Sequence, residues 1–335
     1  MKVMRIGTSE EGLDGLTLSE ETDAPKPGKG EIKVQLKASS LNFHDYGVVS
    51  GKMGAETGRI PMSDGAGEII ELGESVTGLA VGDHVVSVFF PDWQRGAPDI
   101  GDFSRTPGDG IDGYARQTVT CPATWFTRAP EGWSHEEAAT ITTAGLTAWR
   151  ALVVEGNIKP GDSVLLLGTG GVSIYALQIA KALGARVAIT SSSDEKLERA
   201  TAMGADFTLN YKKQRNWGET ISQWAGKGVD HIVEVGGPGT LAQSVKACRI
   251  GGNIILIGVL TGIAGEIPTA LLMRKQIRLT GIIVGNHQHQ EAFVRALEVS
   301  GIKPVIDSRY PLDKLGDAFR HEESGAHFGK IVVAI

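Results

Sequence analysis

The chain has 335 residues, 41% of them hydrophobic and 21% charged, an ordinary globular composition whose length points to about two domains. A net charge of −6 argues against a basic nucleic-acid face, and no run approaches 18 unbroken apolar residues, so no segment reads as a membrane span. Cys121 and Cys248 form neither a disulfide framework nor a C-x-x-C metal pair, and MKVMRIGTSEEG lacks the apolar core of a signal peptide; a cytoplasmic protein is expected.

The first 130 residues read as β-rich. EIKVQLKA (31–38), GEIIELG (67–73) and DHVVSVFF (83–90) are short β-branched runs, separated by turn sequences such as PKPGKGE and VTGLAVGD. From about residue 160 apolar strands alternate with helical patterns. The strands are SVLLLG (163–168), RVAIT (186–190), DFTLN (206–210), DHIVEVG (230–236), NIILIGV (253–259) and IRLTGIIVG (277–285), and VSIYALQIAKAL and DEKLERATAM are helices between them. Six strands separated by helices predict an α/β, doubly wound parallel sheet with right-handed crossovers. After Gly285 come one amphipathic helix, HQEAFVRALEVSG, and a closing strand, KIVVAI. That tail is too short for a domain and is expected to pack on the first one.

Between the first strand and helix of this alternation stands GTGGVS. Gly168, Gly170 and Ser173 occupy the three positions of G-x-G-x-x-G, with serine third. The first glycine permits a tight turn, the second lets backbone approach a pyrophosphate, and the third position needs a small residue for helix–strand packing. The helix N-terminus then offers unpaired N–H groups and a positive dipole to an anion. The strand–turn–helix context supports dinucleotide binding. NAD-binding versions place an acid about 20 residues on, against the ribose 2′-hydroxyl. Here the second strand ends in Ser191, Ser192 and Ser193. No carboxylate repels a 2′-phosphate there, and hydroxyls can donate to one, so NADP is the expected cofactor. Lys196 and Tyr211 together complete a phosphate pocket, or Lys196 stands as an ordinary solvated helix lysine.

These blocks together resemble the medium-chain dehydrogenase/reductase superfamily over nearly the whole chain. PKPGKGEIKVQLKASSLN (25–42), DGAGEIIELGESVTGLAVGDHV (64–85), GDGIDGYARQ (108–117), TTAGLTAWRAL (142–152) and GTGGVS (168–173) occur in the family's order. The resemblance implies a GroES-like catalytic domain from 1–130 and 285–335, and a Rossmann domain over 131–284. It also implies a nicotinamide contact at Thr147. With Gly168, Gly170, Ser191, Ser192, Lys196 and Tyr211, the expected cofactor set is completed by Gly171, Val172, Val235, Gly236, Ile257, Ile283 and Lys330.

Zinc alcohol dehydrogenases of this superfamily hold catalytic zinc through Cys, His and Cys. The matching positions here are Asn42, Ser63 and Thr143, none a good zinc ligand, and the four-cysteine lobe is replaced by FFPDWQRGAPDIG. The sequence therefore resembles the zinc-independent quinone-oxidoreductase branch, whose motif also places Asn and Asp as at Asn42 and Asp45. Without a Lewis acid, the acceptor must take hydride readily, as quinones and α,β-unsaturated carbonyls do. Positioning and some hydrogen-bond stabilisation of the product anion then carry the catalysis. Asn42, Asp45 and Tyr46 are the catalytic candidates, and His44 either supplies a proton or is packed and satisfied. His287 and His289, at i and i+2, share no helical face and read as surface or rim residues. Trp93, Phe89 and Phe90 read as packing or substrate lining.

Two other readings stand beside a reductase of quinones or enones: a zinc-free alcohol dehydrogenase or carbonyl reductase, and a non-catalytic NADPH-binding protein. The apolar edge of NIILIGV and IRLTGIIVG, with the family resemblance, implies a homodimer.

Overall fold

The computed structural model describes all 335 residues, which pack as two units, Met1–Leu146 with Val284–Ile335, and Thr147–Ile283. The first is organised around Glu31–Ser40. This strand pairs antiparallel with Ala66–Leu72, Thr118–Pro122 and Lys330–Ala334. The sheet continues outward to Ile306–Pro311 on one side and to His84–Ser87 and Phe126–Arg128 on the other. Ile32, Val34 and Leu36 alternate along the central strand and pack with Ile69, Val85, Tyr114, Val119 and Phe126 in one buried cluster. Lys2–Arg5 and Thr17–Glu20 form a separate two-stranded ribbon.

A short helix, His135–Ala139, lies on Glu31–Ser40 and its neighbours, opened by a capping box between Ser134 and Glu137. Residues 131–146 therefore pack with the first unit, and the crossing comes at Leu146 rather than near residue 130. The tail holds more than the one helix and strand read from its sequence. After helix His287–Ser300 come strand Ile306–Pro311 and helix Leu315–Ser324. The strand, IDSRYP, lies at a sheet edge and lacks an apolar run. The helix buries only Leu315, Ala318, Phe319 and Glu322, a stripe in which one member is acidic.

The second unit is the parallel six-stranded sheet that the alternation predicts. Its spatial order is Phe207–Asn210, Arg186–Ser191, Ser163–Leu167, Val229–Glu234, Cys248–Leu256, Arg278–Gly281. Strand order reverses between Ser163–Leu167 and Val229–Glu234, which are hydrogen-bonded neighbours. In sheets of this kind, ligands bind beyond the carboxyl ends of the strands at such a reversal. Helix Gly171–Ala182 starts immediately after the first strand. The last strand ends at Gly281, earlier than the apolar run suggests, and the chain re-enters the first unit at Val284, whose φ of 44° is left-handed. No helix is long and apolar enough to cross a membrane.

Candidate active site

Asn42 precedes helix Phe43–Val49 with extended backbone, yet its side chain does not cap that helix. Its Nδ2 donates to Asp64 Oδ2 at 2.9 Å and to Asp45 Oδ2 at 3.0 Å, and its Oδ1 accepts from Lys330 Nζ at 2.6 Å. Asp45 Oδ1 accepts the Ser63 backbone N–H at 2.7 Å. Asp64 also accepts from Ser40 Oγ at 2.5 Å on Oδ2 and from Thr143 Oγ1 at 2.6 Å on Oδ1. Lys330 donates a second hydrogen bond to the Leu41 carbonyl, and its Nζ lies 3.8 Å from Asp64 Oδ2. Four separate stretches of the first unit thus meet in one hydrogen-bonded cluster, and Thr143 is its only member that is not buried.

Met62 sets the direction of Ser63. It is one of five non-glycine residues with positive φ (79°), and it is 1% exposed. Such a conformation costs about 1–3 kcal/mol and persists only where its surroundings hold it. Here the Met62 carbonyl accepts the Tyr114 N–H, and the next residue turns its own N–H onto Asp45.

Three carboxyls, of Asp45, Asp64 and Glu322, share this buried region with one ammonium, that of Lys330. Burial pushes Asp64 up to about 6 and Asp45 adds to it, while Lys330 and the Asn42 and Ser40 hydrogen bonds oppose it. Burial pushes Glu322 further, to about 8, against the pull of Lys330; its Oε2 is buried without a hydrogen-bond partner. The same burial lowers Lys330, against Asp64, Glu322 and Asp45.

Asn42, Ser63 and Thr143 offer an amide and two hydroxyls. Zinc takes thiolate, imidazole or carboxylate, and here the Asn42 amide and the Thr143 hydroxyl are already bonded to Asp64. No group of three or more His, Cys, Asp or Glu side chains is placed to hold a metal ion. The donors present do not fit a catalytic zinc.

In the second unit, Gly168 has φ 73°, which explains glycine there, and donates its N–H to the Thr190 carbonyl at 2.8 Å. Gly170 is the N-cap of Gly171–Ala182, so Gly171 and Val172 lie in its first turn, where N–H groups have no helical partner. Ser173, in the third glycine position, is 2% exposed and donates its hydroxyl to the Leu167 carbonyl at 2.7 Å. This arrangement fits a dinucleotide pyrophosphate.

Comparison with known proteins agrees with both units. Residues 28–131 match the alcohol dehydrogenase GroES-like domain model, and residues 171–299 match the zinc-binding dehydrogenase model. A Schizosaccharomyces pombe protein named zinc-type alcohol dehydrogenase-like protein C1773.06c is 39% identical, over 97% of this chain and 96% of its own. The chain belongs to the medium-chain dehydrogenase/reductase superfamily. Among solved members, one from Sinorhizobium meliloti 1021, provisionally named an alcohol dehydrogenase, superposes with TM-score 0.92 at 39% identity, covering 100% of this chain and 99% of that one. An NAD-dependent alcohol dehydrogenase gives TM-score 0.90 at 31% identity, with both chains fully covered. The protein is accordingly an oxidoreductase of this superfamily, with a GroES-like unit and a Rossmann-like unit.

Against that family frame, the expected residues separate. Asn42 and Asp45 lie in the cluster. Tyr46 does not: it is 8% exposed, its hydroxyl donates to Glu323 and accepts from Lys52 Nζ at 3.1 Å, and its ring lies near Phe319. Burial and Glu323 together raise its phenol above the usual range. His44 is packed between Phe103 and Phe89, with ring centroids 4.6 and 5.3 Å away. Its Nε2 lies 3.4 Å from Asp109 Oδ2 without hydrogen-bond alignment. His289 caps its own helix with Asn286 and meets the Trp93 ring edge-on.

Ser191 is 4% exposed, and its hydroxyl accepts the Ser193 N–H at 3.3 Å; Ser192 is exposed beside it. Tyr211, 41% exposed, donates its N–H to the Ser191 carbonyl, and Lys196 lies in the first turn of helix Asp194–Ala202. Asp194, the nearby acid, is held by Lys213 and Asn210, which lower its carboxyl. Thr147 opens the second unit at 2% exposure, and Ile283 closes it with its carbonyl on Arg150. Val235 and Gly236 form a turn after Val229–Glu234, and Ile257 donates its N–H to the Glu234 carbonyl. Lys330 lies in the first unit, its ammonium engaged in the Asn42 cluster.

Sequence reasoning missed Asp64, Glu322 and Glu234. Asp64 carried a signal, an acid directly after the second zinc-ligand position. Glu234 carried one too, an acid closing an apolar strand. It is fully buried, and its Oε1 accepts from the Gly236 N–H (2.8 Å), the Gly237 N–H (3.1 Å) and Thr240 Oγ1 (2.6 Å). Its Oε2 accepts from Ser244 Oγ.

Proposed function

We propose that this oxidoreductase is zinc-independent and reduces quinones or α,β-unsaturated carbonyls with NADPH. The observation that carries the reading is the replacement of all three zinc-ligand positions by Asn42, Ser63 and Thr143, two of them hydrogen-bonded to Asp64. Bound at the Gly168–Val172 turn, a nicotinamide cofactor supplies hydride. Gly168 and Gly170 let backbone approach its pyrophosphate, and the helix beginning at Gly171 faces it with unpaired N–H groups. An enone or quinone spreads the product charge over its own π-system, so hydrogen-bond donors suffice where a simple carbonyl needs a Lewis acid.

Support for NADPH over NADH comes from Ser191 and Ser192 at the strand end, Lys196 and Tyr211 nearby, and an Asp194 already neutralised by Lys213. The solved relative named NAD-dependent makes this the point most open to direct test. We further propose a cytoplasmic homodimer. Arg278–Gly281 is an edge strand, and Val259, Leu260, Ile263 and Met273 are 48%, 55%, 93% and 75% exposed in the segment before it, apolar surface that a second copy would cover.

NADPH oxidation followed against quinones, enones, aldehydes and ketones tests the reading. Turnover confined to quinones or enones supports it. Reversible oxidation of a simple alcohol, or tight NADPH binding without turnover of any acceptor, overturns it.

A further inference from the structure

The cluster around Asn42 holds more carboxyl groups than cations, and it meets the outside through one side chain. Ser40, Ser63 and Asp64 have no exposed surface, Asp45 has 1%, Lys330 3%, Glu322 4% and Asn42, whose amide is already bonded to Asp64, Asp45 and Lys330, 8%. Thr143 alone is half-buried, and its hydroxyl is 2.6 Å from Asp64 Oδ1 and 3.5 Å from Ser63 Oγ. It sits in a π-helical turn, Ile141–Gly145, a local departure from α-helix that recurs at functional sites. A hydroxyl can donate and accept at once, so a protonated Asp64 can turn its bond to Thr143 around and free the Thr143 O–H to point outward.

We propose that Asp64 is the proton store of this enzyme and the Thr143 hydroxyl its outlet to the reduced substrate. The inference rests on the reductase reading and adds the source of the second hydrogen. Hydride adds to the β-carbon of an enone, and the alkene π pair shifts to leave an enolate. Thr143 gives its hydroxyl proton to the enolate oxygen and takes the Asp64 proton in the same passage. The enol released tautomerises to the saturated carbonyl. Asp64 is left as a carboxylate, held by the Asn42 amide, the Ser40 hydroxyl and the Lys330 ammonium, and is reprotonated from water through Thr143 after product leaves.

The charged surroundings suit such a store. Lys330 from strand Lys330–Ala334 stabilises the carboxylate, Asp45 from helix Phe43–Val49 disfavours it, and Glu322 from helix Leu315–Ser324 competes for Lys330. With burial these place Asp64 near 6, close to the neutrality at which a general acid works best.

The test compares Thr143→Val, Thr143→Ser and Asp64→Asn, using NADPH and an enone. General acid catalysis contributes about a hundredfold or more, so Thr143→Val should lower kcat by that factor without weakening NADPH binding measured by fluorescence titration. Thr143→Ser restores the hydroxyl and should recover most of the rate. Wild-type kcat should decline as pH rises through the Asp64 transition, and Asp64→Asn should lose both rate and decline. If Asp64→Asn fails to fold, the Thr143 pair decides alone. Infrared titration of the protein without cofactor gives a readout free of turnover: a protonated-carboxyl band titrating near pH 6, absent in Asp64→Asn. Its presence in Asp64→Asn overturns the store. Wild-type turnover undiminished in Thr143→Val overturns the inference alone, whereas no wild-type turnover with any acceptor overturns the reductase reading and the outlet with it.

Discussion

Removing the Glu234 carboxylate should cost the second unit several kcal/mol, and the size follows from its four donors. The group is fully buried and has no cation within ion-pair distance; its charge is held by two backbone N–H groups and two hydroxyls. In Glu234→Ala, Thr240 keeps an alternative acceptor, the Gly237 carbonyl at 3.2 Å, so its hydroxyl is not stranded. The Gly236 and Gly237 N–H groups have no such recourse. A buried donor left unsatisfied costs about 1–3 kcal/mol, so the pair accounts for roughly 2–6 kcal/mol before any cavity cost. Glu234→Gln keeps an oxygen for the Gly236, Gly237 and Thr240 donors, sets its amide N–H against the Ser244 hydroxyl, which can turn to accept, and so loses mainly charge assistance, about 1–2 kcal/mol. Alanine should thus lower the melting temperature by roughly ten degrees, glutamine by a few. The turn it holds contains Val235 and Gly236, so alanine should weaken NADPH binding as well. Thermal unfolding of both variants, with cofactor titration, measures this. Equal effects of alanine and glutamine, or none from alanine, would refute the role given to the carboxylate.

Protein purified without a metal-affinity tag should carry no stoichiometric zinc, and chelators should leave its rate unchanged; elemental analysis checks the first and steady-state assay the second. Lys196→Ala should weaken NADPH about tenfold and barely alter NADH, and Ser191→Asp should reverse the preference, read as kcat/KM for both cofactors. Glu322 titrates near 8 folded against an ordinary 4.5, so the folded chain binds the extra proton between those values and the wild type loses stability as pH rises from about 5 to 8. Glu322→Gln removes that slope, and urea unfolding should show it gaining on wild type above pH 8 but not at pH 4. Light scattering at several concentrations should give the mass of a dimer.

The second unit was legible because its inner strands carry short buried apolar runs, as in Ser163–Leu167 and Arg186–Ser191, separated by glycine turns and helix starts, a pattern that parallel sheets impose. Ile306–Pro311 was not, since an edge strand needs no such run, nor was Leu315–Ser324, whose buried stripe ends in Glu322. At the site, Asn42 and Asp45 came from resemblance, and helical phase explains why Tyr46 parts from them: one residue beyond Asp45, it is rotated about 100° and meets Glu323 instead. Lys330 was placed with the cofactor because nothing local ties it to Asn42, which lies 288 residues earlier in the chain. Contacts of that separation exist only once the sheet has closed.

That separation also fixes an order of assembly on the ribosome. All six strands of the nicotinamide unit are encoded between residues 163 and 281, so that unit is complete while the other still lacks its partner strand. Until residues 330–334 emerge, Glu31–Ser40 offers an open edge along residues 38–40, and Asp64 and Asn42 have no ammonium beside them. The unit begun first is therefore finished last, and its half-built sheet must be kept from other edges for as long as the second unit takes to be made.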